Sequence, residues 1–114
     1  MRKKIIAGNW KLNNNQQETT AFISALKAKG SFNGVEVKIA PTSIHLAQAV
    51  NELSDSAIEV IGQNMHQANN GAYTGEISAG MLQSVGVNSV ILGHSERRAY
   101  FNETDEALAE KMKT

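Results

Sequence analysis

With 114 residues, the chain is long enough for one small domain with a modest hydrophobic core. Acidic and basic residues number 11 each, so the formal net charge is zero, and the scattered basic residues argue against a nucleic-acid-binding protein. The lack of cysteine excludes a disulfide framework and a thiolate metal site, and no apolar run reaches the length of a membrane span, so we expect a soluble, cytoplasmic protein.

The first predicted strand is a short apolar run, residues 4–8, that follows a basic start. This run is too short for the apolar region of a signal peptide, so no such peptide is expected. Alternate residues of a strand share a face, which places Asn9 on the side of Ile5, and Lys11 continues that alternation. A turn asparagine and a solvated lysine are the alternative interpretation of these two polar residues.

Helices and strands then alternate along the chain. Residues 15–18 resemble a capping box and predict a helix that ends at Gly30. Residues 35–40 alternate apolar and polar side chains, as a strand does, and Ser43 is predicted to cap the helix that follows. The apolar run at residues 58–62 predicts a third strand.

The third strand leads into the longest polar loop of the sequence. Gln63 and Asn64 follow the strand directly, and the loop occupies residues 65–76. Ser78 is predicted to cap a third helix, which Gly86 ends.

The last predicted strand, residues 87–92, runs into the polar stretch 93–98 (GHSERR). A buried strand that delivers functional groups at its C-terminal end has this pattern, and a strand that enters a solvated turn is the alternative. Ser95 is predicted to cap a short helix within this stretch. Asn102 is predicted to cap a final helix, whose acidic first turn and basic last turn suit the helix dipole.

The order of strand then helix, repeated four times, predicts a single α/β domain over residues 1–114 with parallel strands. Sites in parallel α/β folds lie beyond the C-terminal ends of the strands. The polar residues that follow the strands should therefore meet at one edge of the sheet: Asn9, Lys11, Gln63, Asn64 and residues 93–98.

Four motifs resemble, in the same order, those of the triosephosphate isomerase family: residues 7–11 (AGNWK), 62–64 (GQN), 71–78 (GAYTGEIS) and 93–98 (GHSERR). The resemblance implies a TIM (β/α)8 barrel, of which this chain would be the N-terminal (βα)4 half-barrel, with four parallel strands each followed by a helix. It also implies the glycolytic and gluconeogenic interconversion of dihydroxyacetone phosphate and glyceraldehyde 3-phosphate through an enediolate. In that family the enzyme is a homodimer that uses no metal and no cofactor.

The resemblance also assigns site residues. Lys11 matches the substrate-binding lysine, whose positive charge stabilises the phosphate and the developing enediolate. Asn9 matches a neighbouring substrate-binding residue. His94 matches the catalytic electrophile, which this family is known to keep neutral beside a helix N-terminus. Glu96 matches an acid behind the site that pairs with Lys11.

A dimer loop is implied in the same way. Tyr73, Thr74 and Glu76 match the loop whose tip docks beside the partner subunit's active site in the family. We therefore expect a homo-oligomer, formed through this loop or through strand edges left open by half a barrel. Arg97 and Arg98 are interpreted as structural residues that fix loops through carboxylates.

Other interpretations of the histidines have less support. His94 and Glu96 also fit the His-x-Glu motif of zinc deaminases, but that site needs a pair of cysteines that this chain lacks. His45 and His66 lie outside the family motifs and are predicted to be ordinary surface residues. No glycine-rich nucleotide-binding loop is present.

Length separates this chain from a complete barrel, which needs about 250 residues. The family's catalytic glutamate, its closing loop and its phosphate-binding loops match no residue of the chain, so we expect the chain to be inactive by itself. Two hypotheses stay open. In the first, the chain is a piece of an isomerase that carries part of the active site. In the second, it is a non-catalytic half-barrel module that serves folding or assembly, or a truncated fragment.

Overall fold

The computed structural model describes residues 3–30 and 32–114, and its centre is a parallel sheet flanked by helices. Met1, Arg2 and Ser31 lie outside the described residues, so the basic start of the chain is described only in part. The predicted α/β class is confirmed, because neighbouring strands run in the same direction and a helix crosses over between them.

In the part of the chain that the structure describes, the sheet has three strands, in the order β1 (Lys4–Asn9), β2 (Val35–Ala40) and β3 (Glu59–Val60). β1 and β2 are paired along their full lengths, so that Asn9 lies opposite Ala40 at the C-terminal end of the sheet. The pairing of β2 with β3 is shorter and covers two positions on each strand. This register aligns the C-terminal ends of the strands, so that the residues that follow each strand can lie close together.

The predicted fourth strand lies beside the third in the predicted parallel sense, but it is reduced to a single bridge. Gly62 and Val90 form this bridge. The Gly62 N–H donates to the Ser89 carbonyl at 2.9 Å, and the Ile91 N–H donates to the Gly62 carbonyl at 2.8 Å. A strand at the edge of a sheet is held by hydrogen bonds on one side only, and two such bonds do not extend the ladder here.

Within residues 3–30 and 32–114, five α-helices cover the sheet and its connections. They are α1 (Gln16–Ala28), α2 (Leu46–Glu52), α3 (Ala79–Ser84), α4 (Ser95–Tyr100) and α5 (Asp105–Lys113). None of the helices in the described ranges is long and apolar enough to cross a membrane.

Two of the predicted helix starts are confirmed. The Asn15 side chain accepts a hydrogen bond from the Glu18 N–H at 2.8 Å, and the Glu18 carboxylate accepts one from the Asn15 N–H at 3.0 Å, so the capping box of α1 is complete. The Ser78 hydroxyl caps α3 by accepting from the Met81 N–H at 3.2 Å.

The predicted cap Ser43 is wrong, because a 3₁₀ turn (Ser43–His45) precedes α2 and Ser43 is its first residue. Thr42 occupies the cap position and makes no side-chain capping bond. Its hydroxyl donates instead to the carbonyl of Lys11, 3.2 Å away, at the end of the neighbouring strand. The Thr42 side chain therefore makes a tertiary hydrogen bond instead of capping the turn that follows it.

The predicted caps Ser95 and Asn102 are also wrong. His94 caps α4 in place of Ser95, which is the first helical residue. Thr104 caps α5 by accepting from the Ala107 N–H at 3.2 Å, whereas Asn102 adopts a left-handed backbone conformation with φ +54° outside the helix. Asparagine is favoured both as a helix cap and in the left-handed conformation, and here Asn102 adopts the second. The Thr104 hydroxyl, which lies closer to the helix, makes the capping bond.

The hydrophobic core lies between the helices and one face of the sheet. Its buried members include Trp10, Ile23, Ile39, Leu46, Leu53, Val60, Leu82 and Val87. Strand β1 contributes little to this core, and its Ile5 and Ile6 side chains are 56% and 60% exposed. Because consecutive residues of a strand point to opposite faces, β1 leaves an apolar side chain exposed on each face of the sheet.

Candidate active site

The C-terminal ends of the strands enclose a small polar cavity of about 200 Å³. The predicted site residues line it together: Asn9, Lys11, His94 and Glu96, with Gln63, Asn64 and Arg97 beside them. Asn9 ends β1, and His94 precedes α4, so separate parts of the chain supply the two. A larger cavity of about 630 Å³ lies at the opposite end of the sheet, near Val35 and Ile58, and contains none of these residues.

Lys11 and Glu96 form an ion pair across this cavity. The Lys11 Nζ lies 2.8 Å from the Glu96 Oε1, and both side chains are partly exposed. The ammonium of Lys11, by hydrogen bonding and by its charge, holds the pKa of the Glu96 carboxyl below its ordinary value despite some desolvation. The pair keeps Glu96 ionised and anchors the Lys11 ammonium at the cavity wall.

His94 is held in one tautomer by the helix that it caps. Its Nδ1 accepts a hydrogen bond from the Glu96 N–H at 3.1 Å, at the N-terminus of α4. A ring nitrogen that accepts carries no proton, so a neutral His94 has its proton on Nε2. The ring, whose side chain is 29% exposed, can therefore donate one hydrogen bond from Nε2 to a ligand in the cavity.

A buried charge network supports the His94 segment from behind. The Glu103 carboxylate is 3% exposed and lies 2.8 Å from the Lys111 Nζ and 2.9 Å from the Arg97 Nε. It also accepts from the Gly93 N–H at 3.2 Å, while Lys111 donates to the Asn64 side chain at 2.9 Å. Glu103 thus ties the turn before His94 to α5 and to the end of the third strand.

This network was not predicted from the sequence, in which Glu103 and Lys111 fit the solvated acidic and basic ends of a helix. Lys111 is 5% exposed, although lysine is seldom buried without a partner. The signal that could have identified it is the polar pair Gln63 and Asn64, whose amides need partners at the edge of the sheet. The predicted structural role of the two arginines is supported by contacts of Arg97 with Glu103 and of Arg98 with Asp105.

The carboxyl of Glu103 should make the stability of the protein depend on pH. Burial raises its pKa, but hydrogen bonds from Lys111 and Arg97 outweigh burial and leave the pKa below the ordinary 4.5. A carboxyl with a lowered pKa stabilises the fold above its ordinary pKa, and this contribution is lost as the pH falls through the lowered value.

We therefore expect the urea concentration at the unfolding midpoint of the wild-type chain to decrease as the pH is lowered below about 4.5. In Glu103→Gln this decrease should be less steep. Urea titrations across the acid range measure both slopes. Parallel curves for the two proteins would contradict this assignment.

The predicted dimer loop is folded against itself outside the polar cavity. The His66 and Tyr73 rings lie 4.3 Å apart, and the His66 Nδ1 lies 3.4 Å from the Glu76 Oε2. Tyr73 and Thr74 are exposed and do not line the cavity, whereas Glu76 lines a neighbouring cavity of about 190 Å³ with Gln63. The structure therefore presents the loop tip to the surroundings of the protein.

The prediction that His45 and His66 are surface residues is wrong for His45, which is buried, whereas His66 is partly exposed. His45 is 7% exposed, and its Nε2 lies 3.0 Å from the Asn14 carbonyl oxygen. The His66 side chain is 15% exposed and packs on Tyr73. His45 contacts the backbone at Asn14, and His66 contacts its own loop, and the sequence pattern around each histidine reveals neither contact.

No group of three or more histidine, aspartate or glutamate side chains in residues 3–30 and 32–114 is arranged to hold a metal ion. The strands are parallel and joined by helices, and a cation, an imidazole and an amide converge beyond the C-terminal ends of the strands. This arrangement defines the class of α/β proteins whose site lies at that end of the sheet.

Comparison with known families identifies the family within this class. The family model described as triosephosphate isomerase matches residues 4–114, and the chain belongs to this family. A triosephosphate isomerase of Flavobacterium psychrophilum is 57% identical over the full chain, and one of Flavobacterium johnsoniae is 51% identical. A third, from Alkaliphilus metalliredigens, is 49% identical over 99% of the chain. The chain spans about half the length of these curated relatives, 46% of each.

Proposed function

We propose that the chain forms the substrate-polarising half of a triosephosphate isomerase active site, in an enzyme that interconverts dihydroxyacetone phosphate and glyceraldehyde 3-phosphate. The observation that carries the proposal is the convergence of Lys11, His94 and Asn9 on one cavity, with His94 fixed so that Nε2 can donate. The relatives, which are named as triosephosphate isomerases, support the same reaction.

The chemistry of the proposed reaction needs these groups. Removal of a proton from the carbon next to a carbonyl places negative charge on the carbonyl oxygen, which must be stabilised by donors fixed in advance. In this proposal the Nε2–H of His94 donates to that oxygen, and the Lys11 ammonium attracts both the oxygen and the substrate phosphate. Asn9 orients the backbone of Lys11, whose N–H donates to the Asn9 Oδ1 at 2.9 Å.

The proposed base that removes the proton lies outside residues 1–114. Glu96 is the acid nearest to His94 in the cavity, but its pairing with Lys11 directs the carboxylate to the ammonium. By the family resemblance, a glutamate, a closing loop and phosphate-binding loops complete the site, and neither metal nor cofactor takes part. We also propose a cytoplasmic location, since a chain without cysteine fits a reducing compartment.

The experiment that tests this function is a chimera in which the chain replaces the aligned segment of the Flavobacterium psychrophilum relative. At 57% identity over that segment, the two parts should pack together, and the chimera should catalyse triose phosphate isomerisation in a coupled assay. A folded chimera with no isomerase activity, alongside an active parental enzyme, would contradict the proposal.

We expect the chain alone to have no measurable turnover. A positioned general base contributes about 10²- to 10⁴-fold, and the loss of a lid and of phosphate-binding amides removes orientation and water exclusion as well. The check is a coupled assay on protein purified free of host enzyme. Turnover that survives repurification and is abolished by His94→Ala would show that a base within the chain has been overlooked.

One observation favours the second candidate function, a non-catalytic module that assembles through its surface. Ile5 and Ile6 on β1 are more than half exposed, and an open strand edge recruits partners. We propose that the chain forms a homo-oligomer through this edge or through the loop at residues 65–76. Sedimentation at tens of micromolar should show a dimer or a larger species, and a clean monomer would argue against assembly.

A further inference from the structure

We infer that Gln63 is a positioning residue, whose side-chain amide holds the backbone of Lys11 in the conformation that brings the lysine ammonium into the cavity. The significance of this role for catalysis rests on the proposed function, whereas the geometry can be tested without any turnover. Gln63 is half-buried, lines the same cavity as Lys11, and carries no charge with which to act on a substrate phosphate.

The backbone of Lys11 is in an unusual conformation. Its φ is +58°, in the left-handed region that a residue with a Cβ rarely adopts. Lysine has no short polar side chain with which to compensate for this locally, as asparagine and aspartate have. A strained conformation of this kind persists only where the surrounding structure imposes it.

Three side chains bind the backbone of Lys11. The Asn9 Oδ1 accepts from its N–H at 2.9 Å, and its carbonyl accepts from the Gln63 Nε2 at 2.9 Å and from the Thr42 hydroxyl at 3.2 Å. The Gln63 amide also donates its second hydrogen to the carbonyl of Ala40, at 2.8 Å. Gln63 therefore bridges the carbonyl of Lys11 and that of Ala40, the fully buried last residue of β2.

The position of the Lys11 ammonium follows from this backbone geometry. The direction of the Cα–Cβ bond depends on φ, so relaxation to a negative φ would turn the side chain away from its present partner. In the present conformation Nζ reaches the Glu96 carboxylate, 2.8 Å away. The simplest competing role for Gln63 is to tie the ends of the strands together, in which case its loss would lower stability and leave Lys11 in place.

Nuclear magnetic resonance of the chain separates these two roles. In the wild type, Lys11 should show the strong intraresidue amide-to-α-proton NOE of a positive φ, and the Glu96 carboxyl should titrate below the ordinary 4.5. Gln63→Met removes both donors with little change in shape. We expect it to weaken the Lys11 NOE and to move the Glu96 titration upward, toward that of Lys11→Met.

Gln48→Met is the matched control. The Gln48 amide also donates to a backbone carbonyl, that of Gln16 at 3.3 Å, and to the Thr20 hydroxyl at 2.7 Å, away from the cavity. This variant should leave the Lys11 NOE and the Glu96 titration unchanged, even where it lowers stability. If Gln63→Met lowers stability but alters neither readout, the positioning role is overturned.

A second measurement keeps the inference testable if Gln63→Met does not fold. In the wild-type chain, scalar couplings across hydrogen bonds should connect the Gln63 Nε2 to the carbonyl carbons of Lys11 and Ala40, and their absence would overturn the inference. An inactive chimera with both NMR signatures intact would contradict the proposed function and not the role of Gln63. An active chimera without these signatures would contradict the role of Gln63 and not the proposed function.

Discussion

In the active chimera, His94→Asn is expected to lower kcat by about 10²- to 10³-fold, the usual effect of removing one fixed donor to a developing oxyanion. Asparagine is a good helix cap, so the bond from the Glu96 N–H at the start of α4 can be kept, whereas its shorter amide does not extend to the position of the imidazole Nε2–H in the cavity. Because the lost interaction forms mainly in the transition state, kcat and kcat/KM should fall together.

Ser95→Ala is the control for this prediction. Ser95 is the exposed neighbour of His94 and the first residue of α4, so its loss should leave kcat within a few-fold of the chimera. Steady-state kinetics on the three proteins, with their urea midpoints, distinguish lost chemistry from lost stability. A His94→Asn variant that keeps nearly full kcat would contradict the electrophile role.

Glu103→Gln is expected to destabilise the chain by about 3–5 kcal/mol, the usual cost of removing one partner from a buried ion pair. The substitution keeps the shape of the side chain but leaves the buried ammonium of Lys111 without a counter-charge. The measurement is the free energy of unfolding in urea. A loss below about 1 kcal/mol would place the pair in the weak class of solvent-exposed salt bridges and contradict the network.

Two variants control for this effect. Asp105→Asn removes an exposed carboxylate that pairs with Arg98, and its effect should stay within about 0.5 kcal/mol. Glu103→Leu combined with Lys111→Met replaces both buried charges by apolar groups, and it should be less destabilising than Glu103→Gln alone. A double variant that is less stable than the single one would indicate that the two residues act separately.

Patterns within a few residues of sequence predicted much of the fold. The capping box at Asn15 fixed the start of α1, and the alternation over residues 35–40 located β2, because both depend on neighbouring side chains. The place of the site was also predictable, since parallel strands bring their C-terminal ends together. Asn9 and His94 lie far apart in sequence and yet line one cavity.

Features that depend on distant residues could not be predicted in this way. Ser43 is the predicted cap of the second helix, but Thr42 occupies the cap position, and its hydroxyl binds the carbonyl of Lys11 instead. Lys111 resembles a solvated residue in the last turn of a helix until Asn64 and Glu103 are seen around it. The fourth strand has the composition of a strand, but its length depends on pairing that no local pattern specifies.

The measurement that tests the central claim most directly is complementation by mixing. The purified chain, the remaining segment of the Flavobacterium psychrophilum relative and their mixture are assayed for triose phosphate isomerisation at equal concentrations. Activity that appears only in the mixture, and that is lost when the chain carries His94→Asn, is the predicted result. Activity in the remaining segment alone, or a mixture whose activity does not depend on His94, would contradict the claim that this chain supplies the polarising half of the site.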